Sequence, residues 1–214
     1  MQSKLIYVAI SLSVLFFFCL PIQAEEISDK IQSQYKEISS FKTSFVQKRY
    51  RKATDNTKTL KGEIVFQKPT SVRWYTREPE ERLLLVNNST VWQYIPGEKT
   101  AYKFSLQGKF KSKTMIEFIT GDVNIKKDFD IEKLDKSKQG WIKLKLIPKQ
   151  DDPNMLMVHL WVEPETGLLR RIKIKDFWQN KNTLTFRDIQ LSPDISEDLF
   201  TFDPPKEVKV KDNS

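Results

Sequence analysis

Beyond residue 24 the sequence has no cysteine, and its full 214 residues hold one histidine and six glycines. The missing thiols exclude disulfides, thiol catalysis and thiolate metal sites from that part of the chain. A lone His159 excludes a histidine metal cluster. No phosphate-cradling glycine loop and no Gly-x-Ser-x-Gly elbow occurs. Apolar residues are few as well: 17 of the 83 fall in Met1–Ala24, leaving 66 in the remaining 190 residues, about 35%. Charged residues in that stretch number 63, a balance that drifts toward disordered compositions. Its 21 aromatics, spread along the chain, argue instead for a folded domain with few, large apolar groups. No repeat of about 20–50 residues suggests a solenoid, and the length suits one domain.

Lys4 precedes an apolar run from Leu5 to Leu20, followed by Pro21-Ile22-Gln23-Ala24 and Glu25-Glu26. A positive start, an apolar stretch and a small residue before a polar segment make a secretory signal. About 16 apolar residues is short for a membrane span. Residues 1–24 are therefore expected to be a signal peptide and 25–214 a single domain. Cys19 follows the bulky Phe18, where a lipidation signal places a small residue, so it is expected to leave with the signal. An exported domain without cysteine fits a bacterial envelope compartment, the periplasm. The net charge of +8 favours anionic membrane surfaces or acidic partners. Lysines interleaved with Asp and Glu read as a solubilising surface rather than a nucleic-acid stripe.

Ile27, Ile31, Tyr35 and Ile38 recur at helical spacing and predict an amphipathic helix over 26–39. From Phe41 the period becomes two. Leu60, Gly62, Ile64 and Phe66 alternate with polar neighbours, as do Val72, Trp74 and Thr76. Leu83–Val86 and Val91–Ile95 flank a hairpin turn at Asn87-Asn88-Ser89, and a strand at 99–105 follows. One short helix interrupts, with Thr114 and Glu117 as a capping box, Met115, Ile116, Phe118 and Ile119 as its apolar face, and Gly121 as its stop. Strands are expected again at 124–134, 140–147, 154–163, 168–178 and 182–191, with a last one at Leu199–Phe202 and a loose tail. The fold class is mainly antiparallel β with a few helices. About ten or eleven strands imply one strongly curved sheet or unclosed barrel, covered by two helices. With so few apolar residues, the economical arrangement surrounds a partly empty hydrophobic pocket.

Chemistry-bearing residues do not converge. His159 shares a strand face with Met157 and Trp161 and reads as half-buried, and Asp128, Asp130, Asp151 and Asp152 read as loop and solvated strand positions. No enzyme, metal or cofactor is expected. Aromatics at alternating positions (Phe45, Phe66, Trp74, Trp92, Phe118, Trp141, Trp161) suit either ordinary core or a cavity wall.

Several spacings combine. Ser39-Ser40-Phe41 with Phe45 and Gln47 follows the first helix; Gly62 leads to Phe66, Lys68-Pro69, Trp74 and Pro79; Trp92-x-Tyr94-x-Pro96 comes next; Phe200-x-Phe202-x-Pro204-Pro205 closes the domain. From about Ile31 to Val210 this order resembles the outer-membrane lipoprotein carrier family, LolA. The resemblance implies a monomeric periplasmic carrier with an unclosed β-barrel and a helical lid over a hydrophobic cavity. Its implied partners are acylated lipoproteins, an inner-membrane lipoprotein-releasing ABC transporter and an outer-membrane lipoprotein receptor. On that fold Ile31, Tyr35, Met115, Phe118 and Ile119 are expected on the lid's inner face, and Phe45, Ile64, Phe66, Trp74, Leu84 and Trp161 on the sheet's. Family members often carry an arginine before the motif proline, proposed to hold the lid shut; Lys68 stands there, so lid closure falls to it. Where the family has a protruding aromatic associated with transporter docking, this sequence has Val72. A generic periplasmic lipid or fatty-acid binding protein and a sensor domain of the same fold remain open alternatives.

Overall fold

A computed structural model describes residues 21–87, 89–106 and 113–214. The apolar run Leu5 to Leu20, with Cys19, lies outside the described residues. Helix α1 (Pro21–Glu37) is followed by strands β1 (Ser40–Arg51), β2 (Asn56–Gln67), β3 (Ser71–Glu78), β4 (Arg82–Asn87), β5 (Thr90–Ile95) and β6 (Thr100–Ser105). Helices α2 (Lys113–Thr120) and α3 (Ile125–Asp128) come next. Strands β7 (Phe129–Leu134), β8 (Ile142–Pro148), β9 (Met157–Val162), β10 (Leu169–Lys175), β11 (Lys181–Leu191) and β12 (Lys209–Asn213) complete the chain.

All twelve strands form one sheet in the order β12-β6-β5-β4-β3-β2-β1-β11-β10-β9-β8-β7. The two ends, β12 and β7, do not pair, so the barrel is unclosed. Neighbours are antiparallel except β12, which runs parallel to β6. The long β1 and β2 pair over their full length, from Ser40↔Gln67 to Arg51↔Asn56. A bulge between Lys61 and Gly62 lets β2 change register against β3. There a Cβ on Gly62 would stand 1.9 Å from the Tyr75 carbonyl oxygen, so the close backbone approach requires glycine.

Period-two patterning puts two apolar layers on this sheet. The inner layer joins Phe45, Ile64, Trp74, Val86 and Val91 with Leu144, Leu160, Ile172 and Leu184 from the other half, and with α1 and α2, in one buried cluster. The sheet therefore curls around the helices. A smaller outer layer joins Val65, Leu83, Leu85 and Phe200, with Tyr75, Trp92, Tyr94, Ile195 and Phe202 packed on it. Trp92 thus belongs to the outer layer, edge-on to Phe202 at 5.4 Å.

Four differences from the expected elements have physical causes. The stretch Leu199–Phe202 is not a strand; Glu197–Phe200 forms a 3-10 turn that lowers Phe200 onto the outer layer. The tail expected to be loose forms β12, all of it exposed; main-chain pairing to the open β6 edge, begun by Lys209 N–H to the Lys99 carbonyl at 2.9 Å, holds it. Segment 124–134 starts with a helical turn because the Asn124 side chain accepts from the Lys127 amide at 3.0 Å while the Asn124 amide donates to Asp128 Oδ2 at 3.1 Å. Helix α2 begins at Lys113, placing Thr114 inside its first turn. It ends at Gly121, whose φ of +80° and contact with Tyr35 (2.7 Å from a would-be Cβ to Tyr35 Cβ) both demand glycine.

Candidate functional site

The inner layer and its helical cover form the candidate site. Ile27, Ile31 and Tyr35 share one face of α1, and Ile38 follows it; all four are buried. Met115, Ile116, Phe118 and Ile119 bury the corresponding face of α2. Opposite them stand Phe45 and Trp74, edge-on with ring centroids 5.4 Å apart, Ile64, and Phe66, which meets Phe41 at 5.3 Å. Leu84 is partly buried against this cluster. Of the expected lining residues, these ten (Ile31, Tyr35, Phe45, Ile64, Phe66, Trp74, Leu84, Met115, Phe118 and Ile119) come together in one place.

Two expectations fail. Trp161 lies on the opposite face: β9 buries Val158, Leu160 and Val162, while Met157, His159 and Trp161 point outward. A one-residue difference in parity reverses a whole strand. Trp161 instead sits between Lys143 Nζ, 5.4 Å from its ring centroid, and the Arg171 guanidinium at 5.2 Å. Val72 cannot dock a partner on the surface, because it is 0% exposed, paired with Phe66 and Val86 in the inner layer.

The expected pocket is not beneath the end of α1, where the interior is closely packed. Beneath the end of α1 a void of about 10 Å³ remains between Tyr35, Ile38, Phe41, Leu169 and Phe186, no more than a water's worth. Burial holds the Tyr35 hydroxyl well above its ordinary range, partly offset by the Leu169 backbone and by Arg170.

What holds α1 down is apolar packing plus a rim of exposed and half-buried polar links. Lys68 Nζ donates a short hydrogen bond to the Lys36 carbonyl in the last turn of α1, and the Lys68 amide donates to the Ser39 carbonyl at 2.8 Å. A cation at a helix C-terminus meets both the unpaired carbonyls and the negative dipole end. Lys30 Nζ donates to the Pro164 carbonyl at 2.7 Å, Gln32 Nε2 donates to the Val123 carbonyl at 3.0 Å, and Asp29 pairs with Lys126 at 2.6 Å. Of these, the exposed Asp29–Lys126 ion pair is worth about 0.2–1 kcal/mol. The lid is latched lightly.

The larger open space lies at the barrel end formed by the β1–β2 hairpin, and inner-layer Leu60, Trp74 and Leu84 also line it. A cavity of about 530 Å³ opens among Arg49, Arg51, Lys58, Leu60, Trp74 and Arg82. Sequence reasoning missed its cations because a charged strand residue normally reads as solvated. The signal was parity: Phe45, Gln47, Arg49 and Arg51 continue one face of β1, and Leu60 and Lys58 one face of β2. Among the described residues no group of three or more His, Cys, Asp or Glu is placed to hold a metal ion.

The model of the family "Outer membrane lipoprotein carrier protein LolA" matches residues 36–203. An outer-membrane lipoprotein carrier protein of Nitrosomonas europaea is 25% identical over 192 residues, covering 89% of this chain and 91% of the relative. Another, of Cupriavidus pinatubonensis, is 24% identical over 213 residues, 98% of this chain and 99% of its own. An uncharacterized conserved protein from Thermus thermophilus shares the fold, with a TM-score of 0.58 at 12% identity over 89% of this chain and 99% of its own. The chain belongs to the LolA family of outer-membrane lipoprotein carriers.

Proposed function

We propose that this protein is a periplasmic, monomeric carrier that shelters the acyl chains of lipoproteins released from the inner membrane and delivers them to an outer-membrane receptor. The observation that carries the reading is an apolar interior built for cover rather than chemistry: α1 and α2 bury one face each against the inner layer of an unclosed barrel in a LolA-family chain. Residues 1–24 act as the export signal in this reading. Cleavage after Ala24 would leave Glu25 and Glu26 in the first turn of the shortened α1, where carboxylates suit the helix dipole. The partner that releases the cargo is an inner-membrane ABC transporter.

Energetics favour such a division of labour. Burying one methylene is worth about 0.8 kcal/mol, so an acyl chain of about 15 carbons represents roughly 12 kcal/mol. Two or three such chains exceed the practical ceiling of non-covalent affinity, near 20 kcal/mol. A soluble carrier cannot strip that anchor from a bilayer by itself; it offers an apolar shelter while another machine supplies the work. A lid latched by weak links suits it, since the carrier must bind well and release readily.

Phe118→Glu tests the reading. A buried carboxylate at the centre of the α2 face expels α2 from the inner layer, and loading with a triacylated lipoprotein should fall below detection while the sheet keeps its circular dichroism. Unchanged loading refutes the lid assignment. Mass spectrometry of material co-purified from the periplasm separates the carrier from a lipid scavenger: acylated protein supports the first, free lipid alone the second.

A further inference from the structure

The cavity of about 530 Å³ is built unlike the closely packed interior beneath α1. Leu60, Trp74 and Leu84 give it an apolar floor, and Arg49, Arg51, Lys58 and Arg82 ring it together with one carboxylate, Glu80. Glu80 Oε2 accepts from Arg82 Nε at 3.1 Å and Glu80 also feels the charge of Lys58, which leaves four cations to one carboxylate around the cavity. Cross-strand pairing sets Arg49 beside Lys58, an opposition of like charges that destabilises a sheet unless an anion sits between them. Arg49 is exposed along β1, but desolvation of its guanidinium within the cavity and the neighbouring Arg82 and Arg51 hold its pKa below the usual guanidinium value, as expected where cations face one another.

A second observation stands at the same end of the barrel. The β10–β11 turn carries Phe177 and Trp178, 67% and 60% exposed, the most exposed of the large apolar side chains described. The turn is ordered without them: Asn180 donates to Asp176 from both its amide and its side chain at 2.8 Å. The Lys52 amide bonds Asn180 Oδ1 at 3.0 Å, which ties this turn to the β1–β2 hairpin that supplies Arg49, Arg51 and Lys58. Lys175 and Lys181 flank the aromatics, and Lys181 lies over the Tyr50 ring at 5.1 Å. Adjacent exposed aromatics among lysines are the pattern of a side-chain pair seated at a bilayer interface.

We propose that the barrel end bearing this cavity is a binding site for a phosphate-bearing anionic lipid, whose headgroup sits among Arg49, Arg51 and Lys58 and whose first methylenes lie on Trp74, Leu60 and Leu84. Phe177 and Trp178 sink into the bilayer that presents the lipid. Guanidinium groups hold phosphate by paired charge-assisted hydrogen bonds, and each basic group near an anionic surface strengthens binding about five-fold. The site opens at the barrel end and shares only Trp74 and Leu84 with the lining residues named for the acyl shelter, while its charged ring lies outside that set.

Flotation with vesicles tests it. Wild-type protein should bind phosphatidylglycerol–phosphatidylethanolamine vesicles about 100-fold more tightly than phosphatidylcholine vesicles, with a blue shift of tryptophan emission. Arg49→Gln/Arg51→Gln/Lys58→Gln, at exposed positions, should lose that preference. Phe177→Ser/Trp178→Ser should lose vesicle binding yet retain monomeric lysophosphatidylglycerol. Equal binding to both vesicle types, an unaffected triple variant, or inorganic phosphate binding as tightly as the lysolipid would each overturn the proposal. Lipoprotein loading measured in the same variants should stay at the wild-type level. Its loss in wild type together with intact vesicle binding overturns the carrier reading and leaves this site standing.

Discussion

Replacing Trp74 by alanine removes a ring that is 5% exposed and edge-on to Phe45 at the centre of the inner layer. The lost burial and the cavity left behind should cost about 3–5 kcal/mol. Trp161→Ala removes an outward ring between Lys143 and Arg171, where exposed cation–π contacts are worth about 0.5–1 kcal/mol each. Urea unfolding should therefore show Trp74→Ala to be the less stable of the two by about 1–4 kcal/mol. On the same outward face burial, then Lys143, Lys173 and Lys145, push the His159 pKa down from 6.5 to about 4, against a smaller opposing pull from Glu132. The unfolded chain takes up this proton first as pH falls, so the contribution to stability is whole above pH 6.5 and lost on the way down to about 4. His159→Gln should flatten that part of the stability profile relative to wild type. Because no second histidine exists, one proton-NMR titration checks the pKa directly.

At the scale of elements, α1 is the piece whose attachment is adjustable. Lys68→Ala leaves the Lys36 carbonyl without its cation and should weaken the closed lid by about 1 kcal/mol, raising amide exchange in the last turn of α1 about five-fold. Lys68→Arg should restore protection. The helices and the inward rows of β2 and β3 were legible in the sequence because their apolar residues fall on one face and their alternation has clean polar partners. Strand β9 was not: Val158, Leu160 and Val162 compete with Met157 and Trp161, and only packing against Leu144 and Ile172 decides the parity. Strand β12 left no signal, since KVKDN buries nothing and pairs through main chain alone. The cationic cavity was hidden for a related reason. Its arginines continue an apolar row past the point where the row stops being apolar.

For the molecule as a whole, the close packing beneath α1 bears on how the proposed carrier would load. A void of about 10 Å³ there admits no acyl chain, so on the proposed function cargo that reaches this space takes the place of lid side chains. The sheet resists that exchange: β1 and β2 pair along their full length, and neighbours from β12 to β7 form an unbroken ladder. The two helices bury one face each, and α1 is tied at its rim by a few polar links, so they are the part that yields. A loaded carrier should then differ from the empty one in α1 and α2 while its strands stay the same. Hydrogen exchange of protein loaded with a triacylated lipopeptide should show faster exchange in Ile27–Ile38 and Met115–Thr120, with β1, β2 and β8–β11 within about two-fold of the empty form. Uniformly slower exchange throughout would mean that the acyl chains lie outside the lid interior, and would move the shelter to another surface of the barrel.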